Sequence, residues 1–257
     1  MLENRVIPSL LIKNGGLVKT KKFKDPKYVG DPINAIRIFN DKEVDELVLL
    51  DIDATRELRG PNYDLLKDIA SECFMPMAYG GGVSTISHIS TLLRIGFEKV
   101  ILNTSLFKSP NFVSEAVSKF GSQAIVASID VKNKILGKQE VFIESGNRST
   151  GMDPIRAAQF AEKLGVGEIL LTSIDKEGLM DGYDIDLIKK VSTSVNIPVI
   201  ASGGAGKLHD FLYAIRDGKA SAVSAGSMFV YYGPHRAVLI TYPQYTSLIE
   251  IFKEDNL

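Results

Sequence analysis

The sequence predicts a (β/α)8 barrel built from two similar halves. The second half repeats the first: VDELVLLDID (44–53) and VGEILLTSID (166–175) share five of ten residues at an offset of 122. The same offset lays FMPMAYGGG (74–82) on NIPVIASGG (196–204), and KVILNTSLF (99–107) on SAVSAGSMF (221–229). Within each half, short apolar runs alternate with Gly- or Asp-rich turns and amphipathic stretches, which is the pattern of strands joined by helices. Eight such units in 257 residues is the usual size of a closed barrel. The alternative, an open doubly wound sheet, would put equivalent segments of the two halves in unequal surroundings.

Taken in order, the strands are expected near 5–12, 46–51, 75–79, 99–103, 123–130, 168–172, 198–202 and 221–225, each an apolar run of four to eight residues. Helices are announced between them by Asp31-Pro32 before INAIRIF, Ser84 before TISHISTLL, Ser109-Pro110 before NFVSEAV and Asp153-Pro154 before IRAAQFA. Lys13 to Gly30 reads as a long basic loop, with six lysines (13, 19, 21, 22, 24 and 27) against one acid, Asp25. It is either a lid for a phosphorylated ligand or a solvated charge run. Lys132 to Gly151 reads as a small hairpin, ILGKQEVFIES, ending in GNRSTG.

The composition suits one barrel domain over 1–257, with 45% apolar residues and a net charge of −1. That balance gives no electrostatic case for nucleic acid or bulk membrane binding. The N-terminal apolar stretch is interrupted by Lys13 too early for a signal peptide or a span. Cys73 is the single cysteine, so no intrachain disulfide forms and a cytoplasmic location is expected. His88, His209 and His235 show no recurring ligand spacing, and no metal or cofactor is expected.

The two ends of the barrel carry different messages. After strands 3, 4, 7 and 8 stand Gly80-Gly81-Gly82, Asn103-Thr104, Ser202-Gly203-Gly204 and Ala225-Gly226-Ser227. Glycines let backbone N–H groups approach an anion, so two such segments per half imply two phosphate-sized sites across the mouth. Asp51, Asp53, Asp130, Asp175 and Glu177 are carboxylates of the same end, and Asp130 closes an apolar run where a general acid or base would stand. A backbone or lysine partner is its alternative role. At the opposite end Arg5, Glu46, Lys99 and Glu168 stand where apolar strands begin, with signs that cancel. They read as a structural ion-pair cluster or as a neutral plug that small movements open.

RVIPSLLIKNGGLVK, GDP (30–32), DELVLLDI, YGGG, NT (103–104), FGSQ (120–123), ASID, STG (149–151), GEILLTSID, GYD (182–184) and IPVIASGGAG together resemble the cyclase subunit of imidazole glycerol phosphate synthase, collinearly over all eight units. The resemblance implies a (β/α)8 barrel that binds a bis-phosphorylated ribonucleotide at the mouth. It also implies a heterodimer in which a separate glutaminase supplies ammonia at the other end. By position, Arg5, Glu46, Lys99 and Glu168 would form an ammonia gate, with Glu98 and Gln123 toward the glutaminase. Lys19, Gly82, Asn103, Gly178, Gly203, Gly204, Gly226 and Ser227 would belong to the substrate and phosphate segments. Asp130 matches one of two catalytic aspartates.

Leu11 occupies the position of the other, with flanking IPSL and Lys13 intact; at an offset of 119 it stands against Asp130. Ile101 replaces a serine of that family, Glu177 an aspartate and Leu179 a threonine. The departures fall at the mouth while the gate is complete. This pattern, with KTKKFKDPKYVGDPINA and DIDATR, resembles a paralogous branch associated with sugar amidation in bacterial surface-polysaccharide (lipopolysaccharide) pathways. There the barrel and a glutaminase feed ammonia to an ATP-dependent sugar amidotransferase. The expectation is therefore an ammonia-channelling subunit that also holds a phosphorylated ligand. The alternatives are a genuine cyclase of histidine biosynthesis, which yields imidazole glycerol phosphate and the aminoimidazole carboxamide ribotide, and a noncatalytic activator of a glutaminase.

Overall fold

A computed structural model describes residues 4–134 and 137–253. Eight parallel strands close into a barrel: β1 (Arg5–Lys13), β2 (Leu47–Asp51), β3 (Met77–Gly80), β4 (Lys99–Leu102), β5 (Ile125–Asn133), β6 (Glu168–Ser173), β7 (Val199–Ser202) and β8 (Ala222–Ala225). Each pairs with its neighbours in chain order, β8 returns to β1, and the β5–β6 pair joins the halves with Glu168 beside Val126 and Thr172 beside Asp130. The longer helices are α1 (Pro32–Asp41), α2 (Tyr63–Glu72), α3 (Ile86–Ile95), α4 (Pro110–Phe120), α5 (Pro154–Lys163), α6 (Ile185–Ser192), α7 (Leu208–Arg216) and α8 (Tyr245–Lys253), and single short turns of helix, Thr104–Lys108 and Ser227–Val230, follow β4 and β8.

Two apolar zones hold the fold. The larger lies between sheet and helices, where Phe39, Phe97, Phe211 and Phe229 are wholly or almost wholly buried. The smaller is inside the barrel and takes one residue from each strand: Ile7, Val48, Ala78, Ile101, Val126, Leu170, Ile200 and Ala222. Side chains alternate in a strand, so this ring separates one set of inward positions below it from another above.

Helix starts follow local chemistry. The Asp31 carboxylate accepts from Asn34 N at 3.0 Å, and Asp153 accepts from Ile155 N at 2.9 Å, each with proline in the first turn. The cap of α3 is Thr85 rather than Ser84; its hydroxyl accepts from His88 N at 3.2 Å. His88 lies on α3 and is half-buried, and His209 lies on α7 and is exposed.

The segment after β1 is not the open loop that its lysines suggest. Gly16–Lys21 pairs antiparallel with the end of β1, and Lys24–Gly30 pairs back on it. The turn uses Lys22 (φ 53°) and Phe23 (φ 62°), positive at both positions as a tight hairpin demands, but without the Asn or Gly that would have signalled it. In the second expected hairpin, Gln139–Ile143 pairs antiparallel with Asp130–Asn133. Ile135 and Leu136 of that segment lie outside the described residues.

Candidate functional site

The C-terminal ends of the strands open into a cavity of about 450 Å³. Its floor inherits the repeat but not its symmetry. Repeat-related positions line the cavity together: Leu11 and Asp130 at the offset of 119, and Leu50 and Thr172 and Gly80 and Ser202 at the offset of 122. The first-half strands bring Leu11, Leu50 and Ile101 together with Ser9 and Asn103, whereas the second-half strands bring Asp130, Ser128, Thr172 and Ser202, so the second half is the richer in hydrogen-bonding groups.

Asp130 is buried, and its Oδ1 accepts from Ser128 Oγ at 3.0 Å. Burial, only partly opposed by that hydrogen bond, pushes its carboxyl up to about 7. The site therefore holds, as expected, one carboxyl on this level, pushed toward neutrality by burial, with Leu11 at the repeat-related position. Leu11 can neither accept a proton nor share one.

Lys19 is turned inward from the hairpin, and its Nζ donates to Ser9 O at 2.9 Å. Burial lowers its ammonium to about 8, with the nearby Glu177 carboxylate opposing. Glu177 is pushed upward, first by desolvation, against Lys19 and a 2.8 Å hydrogen bond from Thr20 Oγ1. Lys22 N also donates to Glu177 O at 3.0 Å, so the hairpin is fastened to the loop after β6.

The glycine segments differ in what they do. Gly81-Gly82 and Gly203-Gly204 all have positive φ, and a Cβ on Gly204 would lie 2.2 Å from Gly182 O. Gly178 packs so that a Cβ would lie 2.1 Å from Thr20 O, which gives it a structural task in the hairpin contact. A Cβ on Gly226 would strike Lys19 Nζ at 1.9 Å. Ser227 lines the cavity, and among the described residues its buried Oγ has no hydrogen-bond partner. Asn103 and Thr104 line the opposite side, but the Asn103 amide donates to Ser128 O at 3.1 Å and Phe142 O at 3.2 Å, fastening β4 to β5 and its hairpin.

Sequence reasoning named Asp51 and Asp53 but not the ion pairs that hold them. Arg59 Nη1 lies 2.7 Å from Asp51 Oδ2, and Asp53 is held by Lys13 at 2.6 Å and Arg56 at 3.5 Å. Ser128 and Thr172 were also missed; the period of two before Asp130 and the repeat partner of Leu50 would have found them. Among the described residues, no three His, Cys, Asp or Glu side chains converge as metal ligands would.

At the opposite end, Arg5, Glu46, Lys99 and Glu168 come together from β1, β4, β6 and the residue preceding β2. Arg5 donates to both glutamates, which the repeat makes equivalent. Lys99 Nζ bridges them too, at 2.9 Å from Glu46 Oε1 and 3.0 Å from Glu168 Oε2. Both carboxylates are buried, and the two cations neutralise them across the barrel beneath the apolar ring. Glu98 and Gln123 are exposed at this end, and Gln123 Nε2 donates to Phe120 O at 3.2 Å.

Residues 5–235 match the family described as histidine biosynthesis protein. A relative from Pseudomonas aeruginosa, provisionally named imidazole glycerol phosphate synthase subunit hisF2, is 51% identical over 248 residues, covering 96% of this chain and 99% of its own. A Leptospira interrogans relative, provisionally named subunit HisF of the same synthase, is 46% identical over 244 residues, 95% and 96% of the two chains. The Alkaliphilus metalliredigens imidazole glycerol phosphate synthase subunit HisF is 42% identical over 231 residues, 90% and 92%.

Proposed function

We propose, because the chain belongs to the histidine biosynthesis protein family and within it to the HisF-like subunits of imidazole glycerol phosphate synthase, that it receives ammonia from a partner glutaminase and conducts it through the barrel. The destination is amidation of a surface-polysaccharide sugar by an ATP-dependent amidotransferase. The observation that carries this reading is the contrast between the two ends: a complete four-charge cluster at one, and at the other a single carboxyl with Leu11 at the repeat-related position.

The path between them suits a neutral molecule. Ammonia crossing eight apolar side chains loses little solvation, whereas ammonium would lose a great deal, so the ring selects the uncharged form. At the mouth, the glycine segments and Lys19 hold a phosphorylated ligand that reports occupancy. Glu98 and Gln123 face the glutaminase on this reading.

The test is reconstitution of the barrel with its glutaminase and amidotransferase. Glutamine-driven amidation should require the barrel and fall at least about tenfold in Arg5→Ala, while amidation driven by free ammonium salt should be unchanged, since only transfer is lost. Equal glutamine-driven rates with and without the barrel would end the reading. The alternative is the genuine cyclase, supported by a buried, cavity-lining Asp130 carboxyl pushed up to about 7, a range suited to a general acid or base.

A further inference from the structure

The cavity contains one acid whose surroundings are incomplete. Of the buried carboxylates that line it, Asp51 has the Arg59 guanidinium at 2.7 Å, and Asp53 has Lys13 at 2.6 Å and Arg56 at 3.5 Å. The less buried Glu177 has the Thr20 hydroxyl and the attraction of Lys19. Among the described residues, Asp130 has the Ser128 hydroxyl and no cation. Its neighbours are a strand partner, Thr172, which is buried with its side chain in the cavity wall; Ser202 beyond it on β7; and the apolar Leu11, which also lines the cavity. No element lining the cavity brings a charge that offsets the burial of Asp130.

A buried carboxylate without a countercharge, beside hydroxyls that can only accept or donate, is half of an ion-binding site. Among the described residues, no three His, Cys, Asp or Glu side chains converge here as a metal site would have them. An ammonium suits this set: its N–H groups need acceptors spread over one side, which Asp130, Ser128, Thr172 and Ser202 provide, with Leu11 and Ile101 also in the cavity wall.

We infer that Asp130 and the hydroxyls of Ser128, Thr172 and Ser202 form a binding site for ammonium or a primary ammonium group on the floor of the mouth. Ammonia arriving uncharged takes the proton of the Asp130 carboxyl. The O–H bond breaks, the N–H bond forms, and the ammonium and carboxylate remain paired. This inference takes its ammonia source from the conduit reading, but the site itself can be tested without it.

The experiment is a carbon-13 NMR titration of aspartate carboxyl groups in the isolated full chain, with the Asp130 signal assigned by its loss in Asp130→Asn. Titrations run in ammonium, methylammonium, sodium and tetramethylammonium chloride at equal ionic strength. The Asp130 midpoint should fall by about one pH unit in ammonium and methylammonium relative to sodium, which is the shift mass action gives at a ligand concentration about tenfold above Kd. Tetramethylammonium, which has no N–H group, should leave it unmoved. Thr172→Val should shrink the ammonium shift while the protein still melts cooperatively. An identical midpoint in ammonium and sodium would overturn the site, and so would an equal shift in tetramethylammonium. Because no glutaminase is present, failure here is separable from failure of conduction: a shift without glutamine-driven transfer would keep the site and remove the conduit.

Discussion

At the scale of single residues, the repeat sets an apolar Leu11 against a buried carboxyl, Asp130, in the wall of the mouth. Asp130 has a folded pKa of about 7 against an ordinary value of 3.8, so charging it is unfavourable in the native state. The sign follows: no penalty exists below the unfolded value, stability falls as pH rises from about 4 through 7, and the whole penalty is present above 7. The shift corresponds to at most about 4 kcal/mol. Asp130→Asn should therefore be more stable than the native chain in urea unfolding at about pH 8.5 and close to it at about pH 4. A native chain whose stability is flat across that window would contradict the desolvated carboxyl. Both residues were legible in the sequence, because the repeat sets one against the other. Ser128 and Thr172 were signalled only indirectly, by strand parity and by the repeat, and it takes closure of the sheet to bring them to one side of the floor with Asp130.

At the scale of elements, the hairpin over Gly16–Lys21 and Lys24–Gly30 shows where sequence reading stops. Its lysines suggested solvent, yet Lys19 is 4% exposed, because the strand buries Leu17, Val18, Lys19 and Thr20 in succession against the barrel and the loop after β6. A run buried on both faces carries no alternation, and the turn lacks glycine, so neither hairpin signal was available. The barrel strands were legible within one to three residues, because continuous apolar runs mark strands buried on both faces. Glu177 holds the hairpin through Thr20 Oγ1 and Lys22 N. Glu177→Ala removes the carboxylate that accepts from Thr20 Oγ1 and from the Phe23 N–H, leaving both donors without it, at a cost of about 1–3 kcal/mol. Amide hydrogen exchange over 16–30 should quicken about tenfold or more, while β3 to β5 remain unchanged. Unchanged exchange over the hairpin would mean that packing alone holds it. Caps behave more locally: Asp153→Ala should cost about 1 kcal/mol in urea unfolding, for the two N–H groups of α5 left without an acceptor.

At the scale of the whole molecule, duplication supplies a barrel with two equivalent carboxylates, Glu46 and Glu168, at one end and two equivalent glycine pairs at the other. The cations that join the glutamates come from outside that equivalence, Arg5 from β1 and Lys99 from β4, so the cluster needed closure of the sheet to assemble. Its members could be picked out of the sequence as charges at strand starts, but their bridging geometry could not. Above them, Ala78 and Ala222 are the smallest members of the apolar ring. Ala78→Phe should fill that level at an overpacking cost of about 1–3 kcal/mol. It should reduce glutamine-driven amidation at least about tenfold and leave glutaminase turnover intact; an undiminished rate would put the path outside the barrel. The central claim is that conduction is kept and cyclization lost, and it is tested most directly by offering the purified chain the bis-phosphorylated ribonucleotide in excess ammonium salt, native beside Leu11→Asp. We expect no cyclization from the native chain, and a gain of about 10²-fold or more when the second carboxylate returns, the size of a positioned proton transfer. Robust turnover by the native chain would contradict the account and make this a cyclase that works with Asp130 alone.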